Sequence, residues 1–456
     1  MSFYWGEFLK NYEFSILNET VNLIVQYYNY IIDEDVSKNR FIWHDMGVGI
    51  RSLHISLALR FRDVLEKDQV VVLDKMYKLH LDILLKRSFL SSGNHGVWQM
   101  YGLRSLINVN NDTNIDALKY YEHRMSELID ENFNSESIST ENSPSYHQYI
   151  VSLFNIIPAQ YLSNNKNLLE KIKKAHQNTP WLADSKGVFF QIGDSEGNSK
   201  SSLDYKRIDA DFYVDDMKCI SKLFFESGYF ISKVIDSKSK SHSEFIFYNT
   251  TGSYIHKHLD GNSFIFVYKD IELFADAGKH SYDYNEFNTY FRSLRAHNTV
   301  YPEGVSLKVD DLDLFNTRFL YNSFTNYYHL SSIVKYYEIF NHIREVSFFP
   351  NNKLLIKDKI DSNLDCDNVL NFLFGPEIKV VDLIYKGYIL LQSGTTPLAK
   401  IILQKGFLSY EINVGLDNPY RGWMSKEYSK SQPVYFIEVI YPKSIEIINT
   451  EIILIK

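Results

Sequence analysis

Apolar side chains recur every three or four positions through the first part of the chain, to about residue 176. Val21, Ile24, Val25, Tyr28, Ile31 and Ile32 form one such set. Leu79, Ile83, Leu84 and Leu90 continue the pattern, and Leu118, Tyr121, Met125, Leu128 and Ile129 repeat it. A further segment runs from Tyr149 to Leu162. This spacing puts each set on one side of a 3.6-residue helix, so the N-terminal part is expected to be multi-helical. Between Gln177 and Ala210 the periodicity breaks at Pro180, Gly187, Gly193 and Gly197, which predicts connecting loops. After about residue 223 the period becomes two. Phe264, Phe266 and Tyr268 alternate with Ile265 and Val267, and short runs follow at Leu354 to Ile360, Tyr388 to Gln392, Lys400 to Leu403, Val434 to Tyr441 and Ile445 to Ile455. Many strands in series, punctuated by Gly, Asn, Asp and Pro, predict an antiparallel sandwich. The expected division is a helical domain over residues 1–210 and a β-sandwich over residues 211–456.

Composition narrows the function classes. With 45% hydrophobic and 23% charged residues the chain has the balance of a globular protein rather than a disordered one. The net charge of -8 and the lack of a long basic run leave no footprint for nucleic acid. An acidic ligand would need a local cationic cluster. The 34 Tyr and 31 Phe suit both ordinary core packing and a sugar-lined cleft. Cys219 and Cys366 are the two cysteines, too few for a disulfide framework or a Cys-based zinc site. Glu7, Lys10 and Glu13 interrupt the N-terminal apolar residues, so no signal segment or membrane span is expected there and the expected compartment is the cytoplasm. An incomplete N-terminus would make it periplasmic instead.

Three polar clusters could carry chemistry. His256, His258, Asp260, Asp276 and His297 fall within about forty residues of predicted strand and turn. His258, Asp276 and His297 could fill three corners of a tetrahedral zinc site, although their spacing fits no short metal motif and ordinary loop histidines would look the same. Asn94 and His95 stand before a helical stretch. An Asn amide can bind a carboxylate and a His can take a proton near neutral pH, but an Asn there also serves as a helix cap. Pro144, Tyr146 and His147 open another helix, where a tyrosine can be an acid, a base or structural.

Taken in this order, the clusters resemble the heparinase II/III-like polysaccharide lyases from about residue 40 onward. The matching stretches are His256-Lys257-His258-Leu259-Asp260 with Ser263, Asp276-Ala277-Gly278 with Tyr282, Tyr290-Phe291-Arg292-Ser293, and Ala296-His297-Asn298-Thr299-Val300. Ile192-Gly193-Asp194-Ser195 and the late Gly422-Trp423 with Ser425 and Tyr428 add to them. The resemblance implies an incomplete (α/α) toroid followed by an antiparallel β-sandwich. It implies β-elimination on a uronic-acid-containing acidic polysaccharide, with Asn94, His95, Tyr146 and His256 catalytic. It further implies His147, Tyr282, Tyr290 and Arg292 at the substrate, and a zinc ion, structural in role, on His258, Asp276 and His297.

Members of that family usually carry a signal peptide and a longer N-terminal region, and neither is expected here. This motivates the alternative of a non-catalytic or hydrolytic carbohydrate-active protein serving envelope polysaccharide biosynthesis. The expected partner in either case is an acidic polysaccharide, with no nucleic acid and no membrane span. The oligomeric state is left open.

Overall fold

The computed structural model describes residues 7, 9–11, 13–32, 42–109, 115–155 and 166–455. Helices α1 (Phe14–Ile31), α2 (Asp45–Leu59), α3 (Lys67–Leu84), α4 (Gly93–Val109), α5 (Ile115–Asn132), α6 (Pro144–Asn155) and α7 (Lys166–Asn178) precede the first strand. One short helix, α8 (Glu286–Arg292), follows among the described residues. The expected helix from Tyr149 to Leu162 corresponds to α6, which starts earlier, and residues 156–162 lie outside the described residues. No described helix is long and apolar enough to cross a membrane.

The chain divides into two compact units. One comprises Met1–Asn132 with Leu153–Ile172, and the other Phe133–Ser152 with Lys173–Lys456. This differs from a boundary at residue 210. The segment after Asn132 is hydrogen-bonded into the strand-rich unit: Asn134 Nδ2 donates to Ser227 Oγ at 2.6 Å, and Asn142 Nδ2 to the carbonyls of Ser253 at 2.6 Å and Ile255 at 3.1 Å.

In the helical unit, α2 and α4 pack backbone to backbone. A Cβ on Gly49 would lie 2.4 Å from the Trp98 carbonyl oxygen, and one on Gly102 would lie 2.5 Å from the Gly49 oxygen. Only glycine permits that approach. It brings the N-terminal turns of the two helices together, as the hydrogen bond from Ser91 Oγ, just ahead of α4, to Asp45 of α2 confirms.

In the other unit every paired strand is antiparallel. A six-stranded sheet runs in chain order from Phe212–Val214 to Ile271–Phe274. An eight-stranded sheet is centred on Ile447–Leu454 and Lys353–Ser362, and a four-stranded sheet contains Val300–Pro302 at one edge. Phe245, Phe247, Phe264 and Phe266 from the six-stranded sheet share an apolar cluster with Tyr328, Phe348, Ile356 and Ile452 from the eight-stranded one. Each such fully buried side chain contributes about 1.5–3 kcal/mol relative to exposure. The alternate residues Ile246, Tyr248 and Ile265 pack on Trp181, Leu182, Phe189 and Ile192, so the six-stranded sheet is covered on both faces. That is why Phe245–Tyr248 and Phe264–Tyr268 are unbroken apolar runs. Strands begin at Phe212, ahead of the expected change near residue 223, because Lys218, Ser221 and Lys222 mask the apolar pattern of Met217–Phe224. Both cysteines are free thiols.

Candidate active site

In the strand-rich unit a polar cluster is built around Asp194. Gly193 has φ +55°, and a Cβ there would lie 2.4 Å from the His256 carbonyl oxygen and 2.9 Å from that of Asn142. His256 itself has φ 55°, a left-handed conformation that costs a non-glycine residue of order 1–3 kcal/mol and persists when the surroundings fix it. Here the fixing contact is the Asp194 N–H, which donates to the His256 carbonyl at 3.2 Å. Asp194 Oδ2 accepts from His256 Nδ1 at 2.8 Å and its Oδ1 from His258 Nε2 at 3.0 Å, with Arg292 3.6 Å away. Burial opposes the charge on Asp194, but the hydrogen bonds from the two imidazoles prevail and hold its carboxyl well below the usual range.

Tyr146 is delivered to this cluster by the start of α6. Pro144 suits the first turn of a helix, where its missing N–H is no loss. Ser143 Oγ lies 2.8 Å from Ser195 Oγ, which ties the helix start to the Asp194 loop. The Tyr146 ring stacks on His256 with centroids 3.5 Å apart, and its hydroxyl is 2.9 Å from that of Tyr282. Burial raises the Tyr146 pKa; the Tyr282 hydrogen bond lowers it, and the charges of Asp194, Glu141 and Glu196 raise it further. The phenol therefore stays protonated at neutral pH. His256 Nε2 is 3.6 Å from Glu141 Oε2. Cations complete the cluster: Lys279 Nζ lies 4.6 Å and the Arg292 guanidinium 5.6 Å from the Tyr282 ring centre, and Lys279 also faces Tyr428 at 5.5 Å.

Residues 220–417 match the family model described as "Heparinase II/III-like, C-terminal". The chain carries a heparinase II/III-like C-terminal domain. Among solved structures, a heparinase III crystal structure aligns with a TM-score of 0.74 at 14% identity, covering 98% of this chain and 74% of that one. A heparinase III described as the BT4657 gene product gives 0.73 at 15%, covering 98% and 76%. A mutant heparan sulfate lyase HepC from Pedobacter heparinus gives 0.71 at 13%, covering 98% and 74%. No curated protein matches the chain. At such identities the likeness is one of fold.

Several expected site residues meet in the heparinase-like unit. Tyr146, His256, Tyr282 and Arg292 stand together as described, with Tyr282 44% exposed. Two others are buried. His147 is 1% exposed; Ser139 N–H donates to its Nδ1 at 3.0 Å and its Nε2 is bonded to the Ala175 carbonyl at 2.9 Å. Burial pushes its pKa down to about 4. Tyr290 is 4% exposed and donates to the Trp423 carbonyl at 3.2 Å. Both are structural, which corrects the expectation that they contact substrate: a helix position adjoining a functional residue points another way, in this case into the core.

The expected zinc ligands are all fully buried, with the His258 and His297 ring centroids 5.7 Å apart. His297 Nδ1 pairs with Asp276 Oδ2 at 2.7 Å, and Asp276 also accepts from Tyr248 at 2.5 Å and Gly278 N–H at 2.9 Å. Burial works against the Asp276 charge, but His297 and these donors keep its pKa below the usual value. With one nitrogen of each ring given to a carboxylate, His258 Nδ1 and His297 Nε2 remain buried and unpartnered. Carboxylate-oriented imidazoles of this kind are what a zinc ion takes. The two histidines fit; Asp276 is committed as the orienting partner of His297, and the three do not converge as a ligand group among the described residues.

Asn94 and His95 lie in the helical unit, in the first turn of α4 rather than before it. His95 Nδ1 is 3.1 Å from both carboxylate oxygens of Asp45. Sequence reading missed Asp45, Glu141 and Lys279 as site residues and took Asp194 only as part of a matching loop. The signal available for Asp194 was its place between Gly193 and Ser195, two residues that a sharp, side-chain-tied loop requires.

Proposed function

We propose that the chain is a polysaccharide lyase, an (α/α) toroid joined to a β-sandwich, that cleaves a uronic-acid-containing acidic polysaccharide of the glycosaminoglycan kind by β-elimination. The observation that carries the reading is the protonated Tyr146 phenol stacked on His256 and hydrogen-bonded to Tyr282, with Arg292 beside it. The C5 proton of a uronate is weakly acidic because it is alpha to the carboxylate, and its removal builds charge on that group. Arg292 supplies a fork-shaped cation for the carboxylate. His256 donates a hydrogen bond from its Nδ1–H to the Asp194 carboxylate, so Nε2 is the nitrogen left to take the C5 proton. As the C4=C5 bond forms and the C4–O bond breaks, the Tyr146 proton goes to the departing oxygen. Acid and base stacked side by side suit a substrate whose C5 proton and leaving oxygen lie on one face.

A hydrolase would need two available carboxyl groups. Asp194 is held ionised by two imidazoles, so it has no proton to donate. The deciding experiment incubates the protein with a panel of uronic-acid polymers and follows ultraviolet absorbance. An unsaturated, absorbing product is expected, whereas reducing ends without absorbance would refute the lyase reading. On the substrate that responds, the alkaline limb of kcat should lie above the ordinary tyrosine value of about 10, because burial raises the Tyr146 pKa.

Zinc at His258 and His297 would tie the loop before Ser263–Tyr268 to the turn before Val300–Pro302, a structural role. Elemental analysis should find that His297→Ala lowers zinc content by about one equivalent per chain. Chelation should then lower the melting temperature of the wild type and leave the variant unchanged, since binding at 100 times Kd stabilises by about 2.7 kcal/mol. Equal zinc content in the two proteins would remove the site.

A further inference from the structure

In the helical unit, His44 immediately precedes α2, Asp45 begins it, and His95 lies in the first turn of α4. The glycine contact between the helices brings these three together. His44 Nδ1 and His95 Nδ1 each lie 3.1 Å from Asp45 Oδ1, and the two rings have centroids 5.5 Å apart. One donor atom from each residue falls within 4.8 Å of the other two, and no other such group of His, Cys, Asp or Glu occurs among the described residues. We propose that His44, Asp45 and His95 form a binding site for a divalent metal ion of the zinc class.

Three features favour a metal. Ligands about 2.0–2.2 Å from a tetrahedral ion stand about 3.3–3.6 Å apart, close to the 3.1 Å that separates each imidazole from Asp45 here. Two imidazoles turning the same ring nitrogen to one carboxylate form a nitrogen-rich donor set, which suits zinc and its neighbours rather than magnesium or calcium. The carboxylate is also held in place: Ser91 Oγ donates to Asp45 Oδ2, and Met46 N–H to Oδ1 at 2.6 Å. That is the outer support a ligating carboxylate needs. His44 and His95 are half exposed, so a fourth position is open to water or to an anionic ligand. His95 would then serve as a ligand rather than a base.

The rival account is that Asp45 merely answers the positive N-termini of α2 and α4 and accepts hydrogen bonds from the two histidines. Equilibrium dialysis against zinc, followed by elemental analysis, separates the two for the whole chain. His44→Ala should bind about one zinc fewer than the wild type, while His297→Ala should retain that equivalent. His44 is exposed, so its loss should leave the far-ultraviolet dichroism unchanged; His44→Gln, which keeps a polar side chain without an imidazole, repeats the measurement if it does not. Zinc uptake by the His44 variants equal to that of the wild type would overturn the proposal. No substrate enters the experiment, so its outcome is independent of the lyase reading.

Discussion

Tyr146→Phe should lower kcat by about 100- to 10,000-fold on any polymer that the wild type degrades, with far less change in KM. Phe keeps the ring that stacks on His256 and removes only the hydroxyl, so the departing oxygen loses its proton donor while the stacked pair keeps its packing. The stability cost should be small. The deleted group makes one hydrogen bond, to a Tyr282 that is itself 44% exposed, and such a bond contributes about 0.5–1.5 kcal/mol. Steady-state kinetics with a melting curve on the same preparation tests both halves. Near-normal turnover would take Tyr146 out of the chemistry. A loss of several kcal/mol would instead mark it as a packing residue.

The period-two pattern located strands well where one face is buried and the other wet. The runs at residues 354, 388, 400, 434 and 445 all became strands, whereas Tyr328–Tyr336 and Phe340–Phe349, which alternate buried and half-buried residues along their whole length, went unread. Helix α2 escaped notice because its buried face mixes Val48, Ile55 and Leu59 with Gly49, Ser52, Ser56 and Ala58, small residues that allow close backbone approach and break up the apolar pattern. At the site, residue types announced the imidazoles and Tyr146, but not their partners. Asp194 is 62 residues from His256 and Asp45 is 50 from His95, and no periodicity encodes a hydrogen bond across such a separation. His147 shows the reverse failure. It sits in the sequence beside the functional tyrosine, yet one residue further along a helix rotates a side chain by about 100°, here into the core.

Removing the carboxylate of Asp358 should cost about 3–5 kcal/mol, because it strands a buried guanidinium. Arg344 and Asp358 are both fully buried between the sheets, with Nε to Oδ1 at 2.6 Å and NH2 to Oδ2 at 3.1 Å, and His342 Nε2 is 2.7 Å from the same Oδ1. Arg344 NH1 also donates to the carbonyls of Asn262 at 2.7 Å and Asn298 at 2.6 Å, and Asn298 follows the proposed zinc ligand His297. Asp358→Ala leaves those two bonds in place but no negative charge, so the strand-rich unit should melt earlier. Burial opposes the Asp358 charge while Arg344 and His342 outweigh it, so its folded pKa lies below the unfolded value of about 3.9. The stabilisation is therefore complete above that pH and disappears as pH falls through the folded value, and the wild type and Asp358→Ala should converge in acid. Replacing both partners, as Arg344→Met with Asp358→Leu, should recover most of the loss, since an apolar pair of similar volume leaves no charge unpaired. Denaturant titrations of the wild type and the two variants at neutral and acid pH give the comparison. An Asp358→Ala effect below about 1 kcal/mol at neutral pH would mean that the guanidinium is satisfied by backbone carbonyls alone, and that the pair does not hold the sheets to the loop carrying His297.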